Sequence, residues 1–313
     1  MKKISVICTV YNEEATIKLL LSSLAKQTCQ PFEVIICDGQ STDTTQKIIK
    51  DFAAQHPRLQ IKLIEKKGNR SVGRNVAISA AQTDLIAITD AGCIPQDNWL
   101  EELLRKYEDT DAPVVAGYYK GLPQTSFEEA VVPYALVMPG RINEKTFLPA
   151  TRSMLLEKEV WEGLGGFDEQ LSLNEDYPFA KKIAASGYKI VFAKKAVVGW
   201  LPRKNLPEFV TMIARFAQGD AEAKILRPKV AFIFVRYFLL VLTFLIILYY
   251  STWRSAVSFL LVLFVLYSLW AIEKNKKYVK NGWYWLPLLQ YTADISVMLG
   301  TIKGVAKIIL NKK

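Results

Sequence analysis

The first ninety residues alternate short apolar runs with segments of helical spacing, and this alternation constrains the fold more than any other feature. These apolar runs are short, and the first of them is continuous and rich in β-branched residues, as buried strands are. They lie at residues 4–10, 32–37, 59–65 and 85–89. The segments between them, 15–25, 44–54 and 71–81, carry apolar residues three and four positions apart. Alternating strands and helices predict a mostly parallel sheet flanked by crossover helices.

The same kind of pattern continues to about residue 193. Further helices are predicted at 99–107, 158–164 and 177–186, and further strands at 114–119 and 189–193. Together with the first ninety residues, these elements predict one α/β domain over residues 1–225.

The composition changes in the last third of the chain. Residues 230–250 form an apolar run whose one charge is Arg236, and residues 255–272 form a second run. About 20 apolar residues are enough to cross the hydrocarbon core of a bilayer. Two buried core helices are the alternative, but a four-residue link fits a hairpin better. We therefore predict a transmembrane hairpin within a membrane region at 226–313.

The basic surplus belongs to this C-terminal region. The net charge is +10, and residues 203–313 contain 16 Lys and Arg against 5 Asp and Glu. Basic residues flank the outer ends of both apolar runs, which predicts a multi-pass protein of the cytoplasmic (inner) membrane with the α/β domain in the cytoplasm. They also favour anionic lipids as partners. Nucleic acid is disfavoured, because the α/β domain has no basic patch with interleaved aromatic residues.

The segment 284–310 is amphipathic. Its apolar residues recur at a spacing of three or four, while Gln290, Asp294 and Thr301 lie off that stripe. This pattern predicts a helix in the membrane interface. A third spanning helix is the alternative, but it would place four lysines outside, against the charge rule. These are Lys303, Lys307, Lys312 and Lys313.

Polar side chains follow three of the predicted strands. Thr9 and Tyr11 follow the first strand, Asp38 the second and Asp90 the fourth. In open α/β sheets, ligands bind at the carboxyl ends of the strands. An aromatic ring can stack on a nucleobase, and a carboxylate can accept from a base or a ribose hydroxyl. Each residue taken alone is equally suited to an ordinary turn or a helix cap.

Two charged residues suit a diphosphate. Arg74, on a predicted helix near the same edge, can pair with phosphate oxygens. Asp90 can hold a divalent cation that neutralises a diphosphate leaving group. The alternatives are a solvated surface charge for Arg74 and a turn cap for Asp90.

A third acidic group begins a later helix. Asn174, Glu175 and Asp176 follow a glycine-containing turn. A carboxylate there can remove a proton from an attacking hydroxyl, although it would also stabilise the helix N-terminus as a cap. The one histidine, His56, lies in a polar turn, which excludes a histidine-based triad.

Four motifs in this order resemble those of the family 2 glycosyltransferases, whose GT-A fold binds a nucleotide sugar. They are Thr9-Val10-Tyr11-Asn12-Glu13, Asp38-Gly39-Gln40-Ser41-Thr42-Asp43, Thr89-Asp90-Ala91-Gly92, and Gly166-Phe167-Asp168-Glu169 with Asn174-Glu175-Asp176. The resemblance covers about residues 1–220. It implies that Thr9, Tyr11 and Asp38 bind the nucleotide, that Asp90 opens the Asp-x-Asp motif near the ribose and metal, and that Asp176 is the catalytic base.

The resemblance also implies two further contacts and contains two departures. Arg215 resembles the basic residue that faces phosphate or acceptor, and Glu175 lies next to the base. Gly92 stands where the second Asp of Asp-x-Asp is usual, so Mg²⁺ or Mn²⁺ would rest on Asp90, with Asp97 or Glu175, and on the diphosphate itself. Asp38 is followed by Gly39, where the family often has two adjacent acids.

We therefore predict an inverting glycosyltransferase that moves a sugar from a nucleoside-diphosphate donor to a lipid-linked or membrane-proximal acceptor, as in cell-envelope glycolipid or polysaccharide biosynthesis. A processive polysaccharide synthase is one alternative, but its Gln-x-x-Arg-Trp motif is absent, since Met212 and Phe216 replace the Gln and the Trp. A non-catalytic membrane scaffold is the other, and Gly92 is its best support.

Overall fold

The computed structural model describes residues 2–225 and 227–310 of the 313-residue chain. The chain divides into two compact units. The first comprises Met1–Leu122 and Pro139–Leu201, and the second comprises Pro123–Met138 and Pro202–Lys313. This division differs from the predicted boundary at 225, because a helix at 206–222 packs against the last helix of the chain.

Eight strands and eleven α-helices are present among the described residues. The strands are β1 (Ile4–Val10), β2 (Glu33–Asp38), β3 (Ile61–Glu65), β4 (Leu85–Ile88), β5 (Cys93–Pro95), β6 (Val114–Gly121), β7 (Met154–Glu157) and β8 (Ile190–Trp200). The helices are α1 (Ile17–Ala25), α2 (Thr45–Gln55), α3 (Arg70–Ser79), α4 (Trp99–Thr110), α5 (Ser126–Ala135), α6 (Lys158–Gly163), α7 (Asp176–Ala185), α8 (Leu206–Glu222), α9 (Pro228–Tyr250), α10 (Trp253–Asn275) and α11 (Leu286–Leu310).

The first unit contains a single open sheet, in the strand order β3-β2-β1-β4-β7-β6-β8-β5. The half formed by β3, β2, β1 and β4 is parallel, as the alternating pattern predicted. Beyond β4 the sheet is mixed, because β7 runs antiparallel to both β4 and β6, and β5 runs antiparallel to β8. The α/β prediction is therefore confirmed, and the parallel description holds for the first half of the sheet.

Two of the strands that make the sheet mixed were absent from the sequence prediction. β5 has three residues and β7 has four. Apolar runs this short do not distinguish a strand from part of a helix. They form here because each lies beside a longer strand whose backbone groups it pairs.

The central strands are buried on both faces. Ile7, Ile35 and Ile88 are fully buried in a core that also takes in Ile78 of α3 and Phe179 of α7. Burying an aliphatic side chain of this size stabilises the fold by about 1.5–3 kcal/mol. The continuous apolar runs of the sequence are thus explained by helices covering both faces of the sheet.

The second unit contains the two long apolar helices. α9 and α10 are long and apolar enough to cross a membrane, and the linker between them is Ser251 and Thr252. The side chain of Thr252 caps α10 by accepting from the backbone N–H of Ser255 at 3.2 Å. The side chains are largely exposed, with Phe232 at 72% and Tyr249 at 81%, so these are not core helices of this unit.

The last helix, α11, has two unlike faces. Leu288, Ile295 and Ile302 of the apolar stripe are exposed, whereas Gln290 and Asp294 are buried against the rest of the unit. An interfacial helix would turn its polar residues to water. The amphipathic pattern is therefore real, but its polar face packs on protein. The predicted positions of Lys312 and Lys313 lie outside the described residues.

Two glycines set the distance between α11 and α8. A Cβ atom at Gly300 would lie 2.2 Å from the carbonyl oxygen of Ala214, and one at Gly304 would lie 2.6 Å from that of Gln218. A side chain at either position would push the helix backbones apart. The four-residue spacing of the two glycines is typical of closely packed helices in membrane proteins.

Candidate active site

The carboxyl ends of the parallel strands bring three of the predicted residues to one edge of the sheet. Asp38 at the end of β2 pairs with Val10 at the end of β1, next to Thr9. The backbone N–H of Thr89 donates to the carbonyl of Ile7 at 3.1 Å, which carries the chain from β4 into Asp90 at the same edge. This is the edge where the sequence predicted a ligand site.

Helix α3 delivers an arginine to this edge. The side chain of Asn69 caps the helix by accepting from the N–H of Val72 at 3.0 Å. Gly73 lets the helix approach β1, since a Cβ atom there would lie 2.9 Å from Cγ2 of Thr9. The next residue, Arg74, has its side chain only 2% exposed and bonds to Asp90 at this edge.

Arg74 joins acidic residues that are far apart in the sequence. Its Nη1 donates to Oε1 of Glu175, and its Nη2 donates to Oδ1 of Asp90 at 2.9 Å and to Oγ1 of Thr151 at 3.0 Å. Its guanidinium also lies 5.6 Å from the centre of the Phe167 ring. Protein groups thus occupy the guanidinium of Arg74 and solvent hardly reaches it, while its predicted contact with the donor stays a prediction.

Asp90 is the more accessible member of this network, with its side chain 34% exposed. Burial alone would raise the pKa of its carboxyl, but Arg74, then Arg152 and Arg70, outweigh burial and lower that pKa. The carboxylate is therefore ionised, held in place through one oxygen and able to offer the other to a ligand.

Glu175 and Asp176 stand at the start of α7. Glu175 is 4% exposed, and its Oε2 has no hydrogen-bond partner among the residues described. Asp176 is half-buried, and its pKa is raised by burial first and by Glu175 second, while Arg152 and Arg74 oppose the increase. A carboxylate with a raised pKa is a better proton acceptor, which suits a general base.

The residues predicted to bind the nucleotide lie at the end of β1 (Thr9), directly after it (Tyr11) and at the end of β2 (Asp38). Asp38 is fully buried, and its two oxygens accept from Ser41 and Gln46. The side chain thus acts as the turn cap that the sequence left as its alternative role. Tyr11 is 60% exposed, and its Cδ2 lies 3.5 Å from where a Cβ of Gly39 would be. An exposed ring lying over a glycine leaves one aromatic face open for stacking.

Arg215 belongs to the second unit. It lies on α8, and its side chain is exposed. Its predicted contact with phosphate or acceptor stays a prediction.

The donor set around Asp90 suits a cation only in part. In the described part of the chain no three His, Cys, Asp or Glu residues are grouped to hold a metal ion. A Cβ atom at Gly92 would meet nothing within 4 Å, so the place of the usual second acid is open space. Mg²⁺ and Mn²⁺ often bind through one carboxylate, substrate phosphates and water. These residues fit a cation that one carboxylate and a diphosphate hold together.

Comparisons with known proteins agree with this geometry. Residues 5–155 match the family described as Glycosyl transferase family 2. The chain is 26% identical over 226 residues to the glycosyltransferase AglE of Haloferax volcanii, covering 70% of this chain and 73% of AglE.

It is also 24% identical over 247 residues to a dolichyl N-acetyl-α-D-glucosaminyl phosphate 3-β-D-2,3-diacetamido-2,3-dideoxy-β-D-glucuronosyltransferase of Methanococcus voltae, covering 72% of this chain and 75% of that enzyme. Among solved structures, the mannosyltransferase PcManGT of Pyrobaculum calidifontis, in complex with GDP-Man and Mn²⁺, superposes with a TM-score of 0.60 at 20% identity, over 95% of this chain and 87% of that one.

One residue of the site was missed from the sequence. Arg152 precedes β7 and acts electrostatically on both Asp90 and Asp176. No motif marks it, and the strand that positions it was itself too short to predict. With the sheet, the strand-end acids and the matched family in agreement, the chain belongs to the family 2 glycosyltransferases and combines a GT-A fold with two long apolar C-terminal helices.

Proposed function

We propose that this enzyme is an inverting glycosyltransferase that moves a sugar from a nucleoside-diphosphate donor to a lipid-linked acceptor at the cytoplasmic face of a membrane. The observation that carries the proposal is the network around Arg74. It holds Asp90 and Asp176, which lie far apart in the sequence, in one electrostatic site at the ligand-binding edge of the sheet. In this pair, the Asp90 carboxylate can hold a diphosphate-bound cation, and the Asp176 carboxylate can act as a base for an acceptor hydroxyl.

In the proposed reaction Asp176 accepts the proton of the acceptor hydroxyl, while the oxygen of that hydroxyl attacks the anomeric carbon of the donor sugar. The bond from that carbon to the diphosphate breaks on the opposite face, and the nucleoside diphosphate departs with the electron pair. Inversion follows from this single displacement. Glu175 and Arg74 position the acids on either side. Thr9 and Tyr11 line the nucleotide end, where the buried Asp38 holds the turn after β2 through Ser41 and Gln46.

Asp90 would hold a divalent cation together with the donor diphosphate. When bound, such a cation neutralises charge on the leaving group. PcManGT, which shares the fold, binds Mn²⁺ with GDP-Man. Asp90 is the one acid of its Asp-x-Asp motif, so it would hold such a cation only together with the oxygens of the donor diphosphate.

A lipid-linked acceptor is supported by the second unit and by a relative. α9 and α10 expose apolar side chains along their lengths and, with Tyr291 of α11, line an open apolar pocket of about 820 Å³. Lysines and arginines flank both outer ends of the pair, and the positive-inside rule predicts cytoplasmic positions for such ends. The Methanococcus voltae relative is named for a dolichyl-linked acceptor. An enzyme with a soluble acceptor would gain little from such helices.

The test compares the full chain with its Asp176→Asn variant in detergent. Both are offered a panel of nucleoside-diphosphate sugars with a membrane lipid extract and Mg²⁺ or Mn²⁺, and the masses of glycolipid products are measured by mass spectrometry. Loss of a general base is expected to lower the rate by about 10²–10⁴-fold. Asp51→Asn, an exposed substitution on α2, is the control. Equal transfer by wild type and Asp176→Asn, or none by either, would reject the proposal.

A further inference from the structure

Arg152 packs against two aromatic rings of the sheet and acts electrostatically on Asp90 and Asp176. Its neighbour Thr151 accepts a hydrogen bond from Arg74. Its guanidinium carbon lies 5.4 Å from the centre of the Tyr119 ring and 5.9 Å from that of Trp200. Because these rings come from the neighbouring strands β6 and β8, the side chain is held by the rigid part of the fold.

The hydrogen-bonding groups of this guanidinium are not used by the protein. Across residues 2–225 and 227–310, Arg152 makes no ion pair and donates no hydrogen bond, whereas Arg74 donates to three side chains. A guanidinium carries five N–H donors in a planar fork that matches phosphate oxygens. Arg152 is partly buried, and none of its N–H donors has an acceptor among the described residues. Such an arginine is available to bind an anion.

The surroundings indicate where this partner would lie. After Arg74, Arg152 is the group that most lowers the pKa of the Asp90 carboxyl, and it also lowers the pKa of Asp176. Trp200, which contacts Arg152, pairs across the sheet with Cys93, the residue after Gly92. The Arg152 guanidinium therefore belongs to the region where the donor diphosphate would meet Asp90. The second acid of the Asp-x-Asp motif is missing in the same region.

We infer that Arg152 binds the diphosphate of the nucleotide donor, in a site whose Asp-x-Asp motif is incomplete at Gly92. The inference rests on the proposed donor class. Arg152 contributes a fixed positive charge to the leaving group, beside the divalent cation that Asp90 would hold. Tyr119 and Trp200 keep the guanidinium in place when the site is empty, so that little side-chain freedom is lost on binding.

The test measures binding of nucleotides without sugar to the full chain in detergent with Mg²⁺. The probes are ADP, CDP, GDP, UDP and dTDP, followed by the monophosphate of the tightest binder. In Arg152→Gln the affinity for that diphosphate should fall about tenfold or more, while affinity for the monophosphate changes much less. Arg152→Lys keeps the positive charge but loses the planar guanidinium, so its affinity for the diphosphate should lie between those of wild type and Arg152→Gln. Arg105→Gln, on the surface beside Glu102, should match wild type.

Each outcome decides the matter. Equal losses for diphosphate and monophosphate would make Arg152 a packing residue, and unchanged diphosphate affinity would remove it from the site; either result overturns the inference. Thermal unfolding checks that the variants fold, and Arg152→Lys carries the comparison if Arg152→Gln does not fold. If wild type binds none of the five diphosphates, the proposed function itself fails, independently of Arg152.

Discussion

Each compact unit contains a buried carboxylate among helices, and the two carboxylates differ in how completely the protein pairs them. In the second unit, Asp294 of α11 is 2% exposed. Its Oδ2 accepts from Arg236 at 2.7 Å, from Tyr267 at 2.7 Å and from Tyr237 at 3.2 Å, and its Oδ1 accepts from Gln290 at 3.0 Å. Both of its oxygens are satisfied by three helices of the same unit.

In the first unit, Glu175 is just as deeply buried but only half paired. One oxygen accepts from Arg74, and the other has no partner among the described residues. The same cluster contains Asp176, whose pKa is raised by burial. It also contains Arg152, whose N–H donors have no acceptor among the described residues. Buried polar groups in native proteins are normally satisfied, so a cluster of exceptions needs an explanation. We call the cluster around Asp294 complete, because the protein pairs both of its oxygens. We call the cluster of Arg74, Glu175, Asp176 and Arg152 incomplete, and its unpaired groups fit the proposed ligand site.

The largest expected effect comes from removing the positive charge of Arg74 from the incomplete cluster. Arg74→Met leaves Glu175 buried without its counter-charge, which should lower the free energy of unfolding by about 3–5 kcal/mol. Arg105→Met removes an exposed pair and should change it by about 0–1 kcal/mol. Denaturant unfolding of the full chain in detergent measures both. A stable Arg74→Met protein that no longer binds the donor would show that Arg74 contacts ligand, as the sequence alone predicted.

The matching change in the complete cluster should separate stability from binding. Asp294→Asn removes the charge that Arg236 pairs with and should cost about 1–3 kcal/mol. Nucleotide binding should be retained. Thermal unfolding with nucleotide titration checks both, and Thr301→Ala on the same helix serves as control. Ionisable residues among membrane helices are often functional. An Asp294→Asn protein of full stability that cannot transfer sugar would therefore break the comparison.

The sequence was informative where a residue's role depends on its own strand or helix. Thr9, Asp38 and Asp90 were predicted at one edge because continuous apolar runs place strand ends together. α9 and α10 were predicted because apolar length is a local property. The role of Arg74 was not predictable, since its burial depends on Glu175, a hundred residues away.

Arg152 and α11 show the same limit. Arg152 is positioned by β7, a four-residue strand that exists only through pairing with β4 and β6. The amphipathic pattern of α11 was seen, but periodicity cannot tell a polar face that meets water from one that meets protein. Asp294 and Gln290 face inward because Arg236 and the tyrosines provide partners there.

The pH dependence of transfer sharpens the contrast within the incomplete cluster. Asp176 must be ionised to accept a proton, so kcat/KM should fall as pH is lowered through its raised pKa. Arg152 lowers that pKa and Glu175 raises it, while Arg74 lowers it and Asp90 raises it. Arg152→Gln should therefore move the acid limb to higher pH, and Glu175→Gln should move it to lower pH. Identical acid limbs in both variants would mean that another group titrates.

The smallest expected effect tests the open position beside Asp90. A Cβ at Gly92 meets nothing within 4 Å, and its backbone is not in the left-handed region, so Gly92→Asp should fold normally. A second carboxylate next to Asp90 should tighten Mn²⁺ binding on the order of tenfold, because affinity for hard cations rises with the number of charged oxygen ligands. Electron paramagnetic resonance of free Mn²⁺, with and without nucleoside diphosphate, measures this. Gly92→Asn adds the same bulk without the charge and should stay near wild type. Equal affinities in all three proteins would place the cation away from Asp90, and the incomplete cluster would then bind its diphosphate through arginine alone.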